Sequence, residues 1–231
     1  NAIGLPDIKN TYFKGAINHI RFDKASTQDI IANVTKQPFT LPNELNNLGT
    51  CKYSGEISGY ISNLVLYGNL NTAIGDIRTD INLRIRDRFN QFLINGRIGS
   101  KQLMLGKLLP NSGLGNIAFE TNSDISAGTN QPLMANTKIN IHNFGFLNYN
   151  YKNSRIDGYL DPTLFSGKLH LDDPNCHFDF DGKISNIDNF KHFDFTANLS
   201  NINLNQLNLI KTHPDLTISL STKSNFSGEQ W

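Results

Sequence analysis

The chain has 231 residues, 21 basic against 20 acidic side chains, and a hydrophobic share of 38%. With charges nearly balanced and no basic run or stripe, no nucleic-acid partner is expected. The longest unbroken apolar run is Leu64-Val65-Leu66-Tyr67, far below the roughly 20 residues of a membrane-crossing helix, so no membrane span is expected either. Asparagine is abundant, at roughly one residue in seven. The low hydrophobicity does not read as disorder, because the apolar residues are strongly patterned. No signal peptide is evident. The chain begins and stops in mid-pattern and is read as an internal piece of a longer protein, with any anchor outside it.

In chain order, the first part carries the only helical patterns before residue 50. Residues 26–35 show Ser26 and Asp29 in capping-box spacing, then Ile30 and Val34 one turn apart. Residues 42–48 place Pro42 in a first turn, Leu45 and Leu48 on one side, and Gly49 as a stop. Residues 1–49 therefore read as a strand plus short helices that open a repeat unit, and 50–231 as a continuous β-groove segment. From residue 50 onward, alternation with period two dominates. Ile77, Ile81, Leu83 and Ile85 share one face, with Arg78, Asp80, Asn82 and Arg84 on the other. Phe92, Ile94 and Ile98 repeat the pattern, as do Ile139 and Ile141. Phe193, Phe195, Ala197 and Leu199 follow, then Leu216, Ile218 and Leu220. Strands with one apolar and one polar face belong to antiparallel sheets; parallel sheets would show solid Val/Ile/Leu runs. Asn111-Ser112-Gly113 and Ala127-Gly128-Thr129-Asn130 are turn-rich, but alternation resumes after both. A third short helix is expected at 204–210, where Leu204, Leu207 and Ile210 follow Asn203. The three short helices are expected to plug the end or edge of the sheet, being too short to cover it.

One word recurs: apolar, any, Gly, any, apolar. It centres on Gly15, Gly55, Gly59, Gly96, Gly158, Gly167 and Gly182, and begins again at Phe226-Ser227-Gly228. In a strand, each Gly shares a face with its apolar neighbours. Glycine weakens a strand, so its repetition needs a reason. It opens a gap in the apolar face, lets the strand coil and permits close approach of another group. A curved sheet with small residues on its concave side explains the pattern structurally; a concave surface that takes acyl chains explains it functionally, and the two are compatible.

One hairpin can be read in detail. A four-residue loop Asp172-Asp173-Pro174-Asn175 pairs Leu171 with Cys176, His170 with His177, Leu169 with Phe178 and Lys168 with Asp179. Phe180 continues the apolar face. His170 and His177 would then face each other, two ligands where a zinc site needs three or four. No calcium loop, phosphate loop or nucleophile elbow occurs. Cys51 and Cys176 form neither a disulfide framework nor a metal site and are expected to stay unbonded. No catalytic residue, metal site or cofactor is expected.

The stretch Gly55 to Gly75 contains Gly-Glu-Ile-Ser-Gly and Leu-Tyr-Gly-Asn-Leu-Asn-Thr-Ala-Ile-Gly. A second stretch runs Tyr149-Asn150-Tyr151-Lys152-Asn153, Ile156-Asp157-Gly158 and Phe165-Ser166-Gly167-Lys168-Leu169, then Leu171-Asp172-Asp173-Pro174-Asn175 and Phe178-Asp179-Phe180-Asp181-Gly182. In this ordered combination, over about 45–210, the chain resembles the AsmA/TamB superfamily in the TamB form of Bacteroidetes-type bacteria. The resemblance implies a long β-sheet folded into a taco with an apolar interior. It implies a periplasmic location as part of an inner-membrane-anchored protein. It also implies phospholipid movement to the outer membrane, or insertion of autotransporters with an outer-membrane barrel partner that would meet parts outside this segment. It carries no catalytic residues.

Together these readings predict an all-β fold with two or three short helices: an elongated, curved, mostly antiparallel sheet. Its trough is expected to be lined by Ile77, Ile81, Leu83, Ile85, Phe92, Ile94, Ile98, Ile139, Ile141, Leu169, Leu171, Phe178, Phe180, Phe193 and Phe195. The groove glycines would be Gly55, Gly59, Gly96, Gly158, Gly167 and Gly182. The expected ligand is the acyl chain of a phospholipid. The competing expectation is a β-scaffold that chaperones outer-membrane strands through its trough or sheet edges.

Overall fold

The computed structural model describes all residues except 1, 5–6, 8–9, 36–39, 42, 87–89, 129–130, 188–189, 212–215 and 230–231. The strands are β1 (Ala2–Ile3), β2 (Tyr12–Phe22), β3 (Cys51–Tyr60), β4 (Asn63–Thr72), β5 (Gly75–Arg86), β6 (Gln91–Met104) and β7 (Leu114–Gly128). They continue as β8 (Gln131–Phe146), β9 (Tyr149–Leu160), β10 (Leu164–Asp173), β11 (Cys176–Ile187), β12 (Phe190–Asn203) and β13 (Thr217–Glu229). Each pairs antiparallel with its sequence neighbours in one open, curved sheet of 13 strands. At about 4.8 Å per strand the sheet is roughly 60 Å long. β2 and β3 pair directly, so the sheet runs across residue 50.

The expected alternation sorts the side chains onto two faces. The polar face carries cross-strand ion pairs: Arg97–Asp80 at 2.9 Å, Lys138–Asp157 at 3.2 Å, Lys168–Asp181 at 2.9 Å and Arg78–Glu120 at 3.1 Å. All are exposed and each adds little stability, but together they favour this register over its neighbours. Among the described residues no second layer packs on either face. The apolar face is nevertheless the better covered one. Phe180 is 8% and Ala197 4% exposed, whereas their outward neighbours Asp181, Thr196 and Asn198 are exposed. Side chains converge on the concave side of a curved single layer and splay on the convex side, so the apolar face is the inner one.

The meander puts alternate connections on opposite rims. One rim, the plugged rim, carries every helix among the described residues. α1 (Lys24–Thr35) begins two residues before the expected start. Its cap is Asp23, which accepts from Ser26 N at 2.8 Å while Ser26 Oγ reaches back to Asp23 N at 3.0 Å. A 3₁₀ turn covers Asn43–Leu48 and stops at Gly49, where φ is +65°; Pro42 lies outside the described residues, as do Thr129 and Asn130 of the expected turn. The single-turn α2 (Leu105–Leu108) was not expected.

The third expected helix, 204–210, is a set of tight turns. Leu204 O accepts from both Leu209 N and Ile210 N, and Asn208 is left-handed with φ +59°. Two backbone donors on one carbonyl and a left-handed residue end any helix after one turn. The segment still acts as a plug: Leu207, 1% exposed, packs with Leu171, Cys176 and Ile202.

The hairpin between β10 and β11 also departs from expectation. The loop is the two-residue turn Pro174-Asn175, so Asp173 pairs with Cys176, Leu171 with Phe178 and Leu169 with Phe180. His170 faces Asp179 at 2.6 Å and His177 faces Asp172 at 2.8 Å; the two histidines do not face each other. Asp173 is buried. Its carboxylate accepts from Tyr149 Oη at 2.5 Å, Lys152 N at 2.9 Å and Asn175 N at 3.0 Å. These bonds tie the hairpin tip to β9 and select the tighter turn.

Candidate functional site: an inner trough

Direct cross-strand partners share a face, so the pairing can be followed across the sheet as rows. One row runs Gly96, Ser123, Thr137, Gly158, Gly167 and Gly182 on β6 to β11. On its plugged side lies Ile98, Thr121, Ile139, Ile156, Leu169 and Phe180; on its other side lies Ile94, Ile125, Ala135, Leu160, Phe165 and Ile184. Six small residues thus form a floor between two mostly apolar banks. The floor runs along the sheet axis, perpendicular to the strands. It drifts by two residues toward β3 and β4, where Gly55 pairs with Gly68.

The floor is a crease as well as a gap. A Cβ at Gly167 would sit 2.4 Å from Asp157 O and 2.6 Å from Gly158 Cα; at Gly158 it would sit 2.7 Å from Ser166 O. The neighbouring backbone occupies the space a side chain would need, as the close-approach reading required. Gly96 adds a backbone requirement, with φ +133°.

Every residue expected to line the trough lies on this inner face by register. Ile81, Leu83, Phe92, Ile94, Ile98, Ile139, Phe193 and Phe195 lie along the floor and banks or their extension. Ile85 pairs with Phe92 toward the far rim. Ile77, Ile141, Leu171 and Phe178 sit toward the plugged rim, where Phe178 and Leu169 pack against the Leu207 cluster. Gly55, Gly59, Gly96, Gly158, Gly167 and Gly182 all share the face. Sequence reasoning missed Thr121, Ser123 and Thr137, because polar residues had no place in an apolar stripe. Their hydroxyls bond one another: Thr121 to Ser123 at 2.6 Å, Thr121 to Thr137 at 2.8 Å and Ser123 to Thr137 at 2.5 Å. Three mutually bonded hydroxyls satisfy themselves and leave the floor without a polar demand.

The electrostatics of this face are simple. Among the described residues that the register places on it, the charged side chains are Asp173, whose carboxylate is engaged at the plugged rim, and Lys191, which follows Phe195 and Phe193 toward the opposite rim of β12. Burial pushes the Tyr151 phenol up to about 12 and holds the Tyr149 and Tyr53 phenols above their usual range. Tyr53 Oη lies over Gly68 and is the one buried side-chain polar atom without a hydrogen bond among the described residues. Cys51 and Cys176 are both buried and unbonded, and burial raises both thiols. No group of three or more His, Cys, Asp or Glu that could hold a metal occurs among the described residues. No helix among them is long and apolar enough to cross a membrane. No family model, curated protein or solved structure matches the chain.

Proposed function

We propose that this chain is a segment of a periplasmic lipid bridge. Its trough holds phospholipid acyl chains and lets them move between the inner and outer membranes of a bacterial envelope. The observation that carries this reading is the chemistry of the inner face. It is continuous over 12 full-length strands, has a side-chain-free or self-satisfied floor, and keeps its described charges, Asp173 and Lys191, off the floor and at opposite rims. An alkyl chain needs no hydrogen bond, and each buried CH₂ gains about 0.8 kcal/mol. A polypeptide strand lying in the same trough would bury N–H and C=O groups that find almost no free partners there, at a cost of several kcal/mol per group. The resemblance to the AsmA/TamB superfamily on the residues quoted above supports the same reading. It adds the inner-membrane-anchored setting and, through parts outside this segment, an outer-membrane barrel partner.

A second reading rests on β13. Among the described residues this strand of 13 residues is the last of the sheet, and it exposes Ile218, Leu220 and Phe226. It could receive an outer-membrane strand by β-augmentation. Photo-crosslinking residues separate the two. Placed at Ile94 and Ile139 they should capture lipid in cells, and placed at Arg78 and Asp80 on the outer face they should not. Equal capture from both faces, or protein capture confined to β13, would reject the bridge in favour of a scaffold.

A further inference from the structure

The inner face is closed unevenly from rim to rim. Among the described residues, nine of the 12 buried apolar ones, including Ile74, Leu103, Cys176, Ile202 and Leu207, lie toward the plugged rim. At the opposite rim only two to four residues separate β3 from β4, β5 from β6, β7 from β8, β9 from β10, and β11 from β12. Near that rim on interior strands two inner-face residues are exposed, Leu133 at 46% and Ile184 at 37%, while Leu64, Phe92, Leu160, Phe165 and Phe193 are half-buried. At the plugged rim Leu103 is 5% and Ile202 7% exposed; the exception is Ile20, 47% exposed on the stretch of β2 that β1 does not reach. Leu109, Leu147 and Leu209 are exposed too, but they lie in the connections beyond the strand ends.

The wall at the plugged rim is also the better bonded. Asn47 Nδ2 donates to Leu108 O at 3.0 Å, Leu147 N to Gly113 O at 2.8 Å, and Asn208 Nδ2 to Leu147 O at 3.1 Å. These bonds link the 3₁₀ turn to α2, and the loop after α2 through the β8–β9 turn to the Leu207 segment. At the open rim, the described charged side chains within the last three residues of β3 to β12 are Arg84, Arg86 and Lys191, beside His192. The one described acid in its turns, Asp161, has its carboxylate occupied by Thr163 N at 2.8 Å, Leu164 N at 2.9 Å and Tyr159 Oη at 2.9 Å.

We infer that the two rims have different roles: the plugged rim is a fixed wall, and glycerophospholipids pass sideways over the open rim. The acyl chains lie between the floor and the bank of Ile94, Phe165 and Ile184. The phosphate headgroup stays in water outside that rim, in the field of Arg84, Arg86 and Lys191. This inference rests on the lipid reading above. A headgroup cannot follow its tails onto a floor and banks that carry no charge without losing its hydration. It must therefore leave over one rim, and only the open rim lacks a packed cover among the described residues.

The test uses the purified chain with vesicles of phosphatidylethanolamine and phosphatidylglycerol. The photoreactive group is placed either at the end of an acyl chain or on the headgroup, and labelled peptides are mapped by mass spectrometry. The tail probe should label residues 92–98 and 164–171. The headgroup probe should label 160–165 and 84–86 in several-fold excess over 204–211. Replacing Arg84→Gln together with Arg86→Gln should reduce headgroup labelling at 84–86 while tail labelling of 164–171 persists. Absence of tail labelling from the floor would reject the lipid reading itself. Floor labelling by the tail probe, with headgroup labelling as strong at 204–211 as at 160–165, would overturn only the assignment of the rims.

Discussion

Replacing Gly167 with alanine tests the crease directly. The added Cβ would stand 2.4 Å from Asp157 O and 2.6 Å from Gly158 Cα. Both are backbone atoms of β9, so relief requires moving a strand rather than a flexible side chain. Ordinary contacts begin near 3.4 Å, so the strands would have to part by about 1 Å, and overpacking of that kind costs about 1–3 kcal/mol. Gly15 is the matched control. It occupies the same sequence word on β2, but its Cβ would meet nothing within 4 Å. Gly15→Ala should change stability by less than about 0.5 kcal/mol, or raise it slightly by restricting the unfolded chain. Urea denaturation followed by circular dichroism gives both values as shifts in midpoint at constant slope. A midpoint for Gly167→Ala equal to that of Gly15→Ala would refute the claim that the glycine row is a close-packed fold line.

Four further outcomes follow from the packing of named residues. Leu207→Ala empties the best-buried site of the plugged rim and should cost about 2–5 kcal/mol by denaturation, as Leu to Ala changes in closed cores do. Ile94→Asp places a carboxylate on a half-buried bank where it stays hydrated, so the sheet should remain folded by circular dichroism. Phe178→Asp, set against the Leu207 cluster, should unfold that rim. In a spectrophotometric titration the Tyr151 phenol should ionise near pH 12. A folded-state pKa above the unfolded value near 10 means a contribution present below pH 10 and lost between 10 and 12, and Tyr151→Phe should remove that alkaline step.

The sorting of side chains was legible in the sequence wherever alternation was unbroken. Ile81, Ile94, Ile139, Leu169 and Phe195 come from five separate strands, and the period of two alone places them on one face. The offset of a hairpin was not legible by the same rule. Sliding β10 against β11 by two residues leaves every side chain on its own face, so polarity matching cannot separate a four-residue loop from a two-residue turn. What separates them is Asp173, whose partners Tyr149 and Lys152 lie on a different strand. The hydroxyl cluster was hidden for a related reason: Thr121, Ser123 and Thr137 look polar singly and become compatible with an apolar trough only when β7 and β8 bring them together. The helical spacing of Leu204, Leu207 and Ile210 was a true sign of one buried side, but with Asn208 left-handed the segment buries Leu207 through turns. Register shifts near Ser100 and Leu199 leave no mark in the alternation that would locate them.

Native mass spectrometry of the protein purified from cells tests the central claim most directly. Phospholipid-sized adducts are expected on the wild-type chain and should be lost from Ile94→Asp, with the variant still folded. Wild-type protein free of lipid, or adducts retained undiminished when the bank of the trough carries a charge, would contradict it.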